Sequence, residues 1–205
     1  EFGNGTAVDW HAPNPRFRVF PEWEWIEGNE WTDGVAVIVT VAGRPECGTE
    51  AYPSDGYFGV GFPEGCDVVD GDGVALTDGS TSKQLTVTNL AVTWFDLAEG
   101  FVGGTGSPEL EVHVWVHEVH SSFMITSPDE YGDWGVDFDD VGFTIVPGTA
   151  GLAEQVDEDS DATAVAWSIP NPTVTVFLEW EGFELWGRPI GTEVDFSIED
   201  PNTTE

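Results

Sequence analysis

Three carboxylates at alternate positions, Asp157, Asp159 and Asp161, stand in the run Asp157-Glu158-Asp159-Ser160-Asp161. In a curling loop that spacing turns hard oxygens toward one point, as a Ca2+ ion with its roughly six to eight oxygen ligands requires. The loop is not an EF-hand, because Ser168 falls where the closing glutamate belongs and Ala162 where the turn glycine belongs. A solvated acidic linker is the alternative. Asp67, Asp70 and Asp72, around Gly71 and Gly73, read more simply as a turn. His113, His117 and His120 suggest zinc, but the valines at 112, 114 and 116 make this a strand. His113 and His117 then share a face about 13 Å apart, too far for one metal. Glu22 and Glu24 flank Trp23 and, on a strand, would lie about 7 Å apart, within the range of a glycosidase pair. Their block is written twice in the chain, which marks it as structural. No Gly-x-Ser-x-Gly elbow, phosphate loop or Cys/His nucleophile pair occurs, so no catalysis is expected. Lys83 is the single lysine, so an internal Lys–Asn cross-link of the pilin type has at most one donor.

Cys47 and Cys66 are the two cysteines, flanked by turn residues (Pro45-Glu46-Cys47-Gly48 and Pro63-Glu64-Gly65-Cys66). Joined, they close a loop of about 20 residues, worth ~3 kcal/mol in the loop-entropy account; unpaired, they are two small apolar residues. The flanks favour the disulfide and an oxidising compartment. Acidic residues number 39 against five basic ones, a net charge of −34. Phosphate binding needs clustered cations, so nucleic acid is excluded as a partner, and an anionic membrane surface is disfavoured. An acidic shell for high salt and relief of self-repulsion by bound cations remain compatible readings. No stretch approaches the ~18 apolar residues of a membrane span, and no signal peptide is seen at Glu1. The chain is therefore expected to be a mature or excised piece of an exported protein. Asn4-Gly5-Thr6 and Asn202-Thr203-Thr204 are glycosylation sequons at Asn4 and Asn202 that fit the same compartment.

The elements that must position these residues are strands. No helical periodicity survives three turns without Gly or Pro, whereas alternating β-branched runs recur about every ten residues. Val35–Val41 reads as a buried strand. Val74–Thr77 and Gln84–Thr88 flank Asp78-Gly79-Ser80-Thr81, a hairpin by its turn chemistry. Ala91–Phe95, Glu111–His117, Phe123–Thr126, Trp134–Phe138 and Phe143–Val146 follow, with Gly103–Pro108 read as a turn. The class is all-β, a set of sandwich modules.

The chain also repeats. Thr6-Ala7-Val8-Asp9-Trp10 returns as Thr163-Ala164-Val165-Ala166-Trp167, and Pro13-Asn14-Pro15 as Pro170-Asn171-Pro172. Val19-Phe20-Pro21-Glu22-Trp23-Glu24 returns as Val176-Phe177-Leu178-Glu179-Trp180-Glu181, always at an offset of 157. A fixed period is the mark of an array.

Gly103-Gly104-Thr105-Gly106-Ser107-Pro108-Glu109-Leu110-Glu111-Val112, followed by Tyr131-Gly132-Asp133-Trp134-Gly135-Val136-Asp137-Phe138, resembles bacterial Ig-like modules. Asp78–Leu90 and Val146–Trp167 resemble the tandem repeats of very large secreted bacterial surface proteins. The likeness covers Val74 to Asp200. It departs from the family at Asp133, where such turns carry Asn, and in the Trp- and Glu-rich first module. The resemblance implies an extracellular, non-enzymatic spacer or adhesive array.

The expected organisation is a sandwich module at 1–90 holding the Cys47–Cys66 loop, an Ig-like sandwich at 91–168, and the opening strands of the next copy at 169–205. Those last strands, through Thr173, Val174, Val176, Leu178, Val194, Phe196 and Ile198, are expected to pair with a neighbouring copy or the continuing chain, head to tail. The expected role is a repeat unit of a stalk, filament or giant adhesin. The rival is a carbohydrate-binding sandwich using exposed Trp, with surface glycans as partners.

Overall fold

Alternating β-branched and small residues leave little choice but strands, and the computed structural model is all-β, with its sheets packed as sandwiches. It describes residues 12–117, 119, 122–177, 179–187 and 194–195. Among these, the helical content is two 3-10 turns, Pro21–Trp23 and Phe138–Val141.

One seven-stranded sheet runs through most of the chain. Its strands are β1 (Arg16–Phe20), β2 (Trp25–Asn29), β5 (Phe58–Gly61), β10 (Val112–Val116), β11 (Met124–Thr126), β13 (Ala150–Val156) and β14 (Ala162–Ser168), in the order β11-β10-β13-β14-β1-β2-β5. A four-stranded sheet is ordered β4 (Arg44–Ala51), β3 (Val37–Val41), β6 (Gly73–Thr77), β7 (Ser82–Thr86). A three-stranded sheet is ordered β12 (Asp133–Asp137), β9 (Phe101–Thr105), β8 (Ala91–Asp96). β15 (Thr173–Phe177) and β16 (Gly182–Trp186) form a two-stranded sheet.

Side chains alternate across a strand, so register decides what is buried. Val114, Ala153 and Val165 are cross-strand neighbours, as are Thr163, Val19 and Ile26, and all point to one face of the long sheet. Both smaller sheets cover that face. Phe17, Val19 and Ile26 meet Val37, Val39, Val74, Leu76 and Leu85 of the four-stranded sheet in a first core. Val112, Val114, Val165 and Trp167 meet Val102, Trp134, Val136 and Phe138 in a second. The first core ends at Val87 and the second begins at Leu90, while the long sheet runs beneath both. At that seam the buried Thr163 hydroxyl accepts a hydrogen bond from Thr88 N (2.9 Å).

One pairing decides the path of the chain. β1 and β14 run parallel, with Arg18 opposite Ala162 and Val19 opposite Thr163. The chain enters β1 at one end of the sheet and leaves β14 at the other, because parallel neighbours point the same way.

Local differences from the sequence reading have packing causes. Gly103 and Gly104 lie within β9 rather than in a turn; a Cβ at Gly103 would strike the Trp94 ring and one at Gly104 the Ala91 carbonyl, so both are glycines of close strand approach. The span Phe143–Val146 is not a strand. β3 buries only alternate residues, leaving Ile38 exposed, because one face of its sheet is solvated. Trp23 and Glu24 form a 3-10 turn and its left-handed cap (Glu24 φ 50°), so Glu22 and Glu24 do not share a strand face.

Candidate functional site

The repeated blocks fold alike. In the first hairpin Arg16 pairs with Asn29, Arg18 with Glu27 and Phe20 with Trp25. In the second Thr173 pairs with Trp186, Thr175 with Glu184 and Phe177 with Gly182. Each of these positions is the first-copy position plus 157. The connections match too: Glu24 and Glu181 both take left-handed φ (50° and 53°), and Phe20 lies on Trp23 (5.3 Å) as Phe177 lies on Trp180 (4.4 Å). The local sequence therefore suffices to close this hairpin.

Its surroundings differ. Phe17, Val19 and Ile26 are fully buried, whereas their counterparts Val174, Val176 and Phe183 are 52%, 54% and 47% exposed. Trp180 and Trp186 are exposed as well. Among the described residues β15 and β16 pair with each other and with no further strand. Thr173, Val174 and Val176 thus stand on an open, partly apolar hairpin, and Val194 lies half-buried outside any strand. Leu178, Phe196 and Ile198 lie outside the described residues, as do Asn4, Asn202 and His120.

The acidic run between β13 and β14 does not gather its three carboxylates. Asp157 Oδ1 accepts the backbone N–H groups of Asp159 (2.9 Å) and Asp161 (3.0 Å), folding the turn on itself. Asp159 points to solvent. Asp161 turns inward, fully buried, and its Oδ1 accepts Phe17 N–H (2.9 Å). The cation beside the run is the Lys83 ammonium, 3.5 Å from Asp161 Oδ2 and 4.0 Å from Asp159 Oδ2. Burial pushes the Asp161 carboxyl up to about 7, against the Phe17 N–H and Lys83, which favour the anion. Among the described residues no three His, Cys, Asp or Glu side chains converge as a metal would require, and the calcium arrangement expected of Asp157, Asp159 and Asp161 is not formed. The Asp67–Asp72 turn is held instead by Arg44, which donates to the Asp67 carbonyl (2.7 Å) and pairs with Asp72.

On the opposite face of the long sheet Trp25 and Trp115 pack over Phe20, Leu152 and Ala164. Beside them Arg18 pairs with the buried Glu154 and lies 5.8 Å over the Trp115 ring. With His113 and Phe123 they line a shallow cavity of about 340 Å³. Desolvation, partly countered by Arg18 and Arg16, raises the Glu154 carboxyl to about 7. Nothing local in the sequence flags this group, because its members come from strands far apart in the chain. His117 sits exposed beyond the end of β10, so it and His113 do not meet. Cys47 and Cys66 form the disulfide, their Cα atoms 5.4 Å apart. No helix among the described residues is long and apolar enough to cross a membrane.

Neither a family model nor a curated protein matches the sequence. Among solved structures, the chain is similar to the BSP domain of a biofilm-associated protein at 13% identity and a TM-score of 0.30, covering 76% of this chain and 29% of that one. A tetra-tandem repeat from the extending region of a large adhesion protein matches at 14% identity and a TM-score of 0.28, over 79% of this chain and 51% of that one. A 1.5-MDa bacterial ice-binding adhesin, solved for its host cell surface retention, matches at 12% identity and a TM-score of 0.25. The chain thus spans about a third to a half of the first two solved chains. At these TM-scores none of the likenesses fixes the role of this one.

Proposed function

We propose that this chain is a link of an extracellular stalk or large surface adhesin of the bacterial tandem-repeat kind, structural rather than catalytic, with the whole 157-residue period as the repeating unit. The observation that carries this reading is the second hairpin, built to the register of the first and, among the described residues, half-exposed at Val174 and Val176 where the first is fully buried at Phe17 and Val19. The parallel β1–β14 pair supports it: entry into β1 and exit from β14 at opposite ends of the sheet suit a link that passes tension along its axis. In the first copy the hairpin is flanked by a β14 strand on one side and β5 on the other. The second hairpin takes the equivalent strands of the following unit, joining units head to tail, whether in one continuing chain or from another copy.

The test is a longer polypeptide in which Trp186 is followed by residues 30–168. The amides of Val174 and Val176 become protected from hydrogen exchange to the level of Phe17 and Val19. If they exchange as freely as in the shorter chain, the reading is wrong. Sedimentation of the 205-residue chain at graded concentrations reads assembly between copies, and a species monomeric throughout rejects that arm. The cavity at Arg18, Glu154 and Trp115 keeps a second reading, a glycan site, in play; Trp fluorescence titrated with polysaccharides, with Trp115→Ala as the control, decides it.

A further inference from the structure

Lys83 is the only lysine in the chain, and it faces inward. It lies on the same side of β7 as Leu85, a first-core residue, and its side chain is 10% exposed. Opposite it, at the foot of β14 in the other sheet, is Asp161, 0% exposed. Lys83 Nζ donates to the Asp159 carbonyl (2.7 Å) and stands 3.5 Å from Asp161 Oδ2. That buried oxygen has the Lys83 ammonium as its partner, at a distance too long for a good hydrogen bond, while its twin Oδ1 accepts Phe17 N–H at 2.9 Å. A largely covered amine thus faces a fully buried carboxyl whose Oδ1 is already held by a backbone donor.

We propose that Lys83 and Asp161 condense to an intramolecular amide that bolts the four-stranded sheet to the seven-stranded one. The reacting form is reached by transfer of one proton from Nζ to Oδ2 within the pair, which leaves amine and acid neutral without an external base. The Nζ lone pair attacks Cγ, and the charge that develops on Oδ1 is stabilised by Phe17 N–H, in the manner of an oxyanion donor. A proton passes from nitrogen to Oδ2, the Cγ–Oδ2 bond breaks, and water leaves. One Nζ–Cγ bond forms and one Cγ–Oδ2 bond breaks, with no oxidant or external reagent. Asp157, by accepting the N–H groups of Asp159 and Asp161, is the positioning residue that keeps the turn aimed. The bond makes a bypass: tension entering at β1 and leaving at β14 does not extend the segment between residues 83 and 161.

The experiment is mass spectrometry of the reduced, denatured chain, followed by peptide mapping. The expected result is a mass below that of the sequence by one water and a branched peptide joining Lys83 to Asp161. Cyclisation of Glu1 would also lose water, so the branch, not the intact mass, decides. Asp161→Asn is expected to form the same branch with loss of ammonia instead, since nitrogen is then the leaving group, and Lys83→Gln is expected to give linear peptides throughout. A linear wild-type peptide carrying a Lys83 free to react with an amine reagent overturns the proposal and leaves an ion pair. The wild-type map stands even if a variant fails to fold. In single-molecule stretching, the branch shortens the unfolding extension by about 270 Å relative to Lys83→Gln; equal extensions contradict it.

Discussion

The two hairpins of this protein are the same object in two settings. β1–β2 and β15–β16 share register, connection and an aromatic pair. One carries fully buried Phe17, Val19 and Ile26; the other carries half-exposed Val174, Val176 and Phe183. Hairpin closure is therefore a local property, supplied by the left-handed glutamate and the adjoining aromatic pair. Stability is not. A lone two-stranded ribbon is marginal in water, and the first hairpin is held because β14, β5 and the four-stranded sheet surround it.

The contrast is broken most severely by truncating its buried member. Phe17→Ala is expected to cost about 4 kcal/mol in denaturant unfolding, the usual range for a buried phenylalanine. The matching Val174→Ala is expected to change the same midpoint by less than about 0.5 kcal/mol. Equal losses would mean the second hairpin is packed in solution. Replacing Cys47 and Cys66 by Ala is expected to destabilise the first core by ~3 kcal/mol, with exchange at Val174 and Val176 unchanged; a loss at both hairpins would show that they are coupled.

Titration sharpens the same comparison. The Glu154 carboxyl, beside Arg18 of β1, is raised from 4.5 to about 7 by burial. A raised carboxyl favours the protonated fold, so this contribution is complete below pH 4.5 and is lost as pH rises through about 7. Its span is on the order of 3 kcal/mol, and Glu154→Gln is expected to flatten that part of the stability–pH curve. A variant curve parallel to the wild type would remove Glu154 from the account. The smallest effect is expected from Val176→Thr. It should leave unfolding of the 205-residue chain within about 0.5 kcal/mol of wild type, yet lower hairpin protection in the longer polypeptide, where Val176 takes the place of buried Val19.

Much of this was legible in residue order. The Asp78-Gly79-Ser80-Thr81 turn closes β6–β7 as its chemistry predicts, Asp78 Oδ1 accepting the N–H groups of Ser80 and Thr81. Those bonds hold the Asp78 carboxyl below its usual range. Cys47 and Cys66 pair as their flanks suggest, although Cys47 lies within β4 rather than in a turn. Gly103-Gly104 misled, because glycine signals a turn and a close strand approach alike. In the acidic run spacing places Asp157, Asp159 and Asp161 near one another, but cannot say that one caps the turn, one faces water and one is buried against a lysine 78 residues away.

Residue order alone settled what is local or periodic: strands from alternation, turns from Gly and Asp chemistry, and the 157-residue repeat that yields two matching hairpins. Only the folded chain decided that β1 and β14 lie parallel, that one sheet underlies both cores, and that Lys83 meets Asp161. Those are pairings between residues with no shared local pattern, and they are selected by burial of whole faces, a property of the assembled sheets rather than of any one stretch.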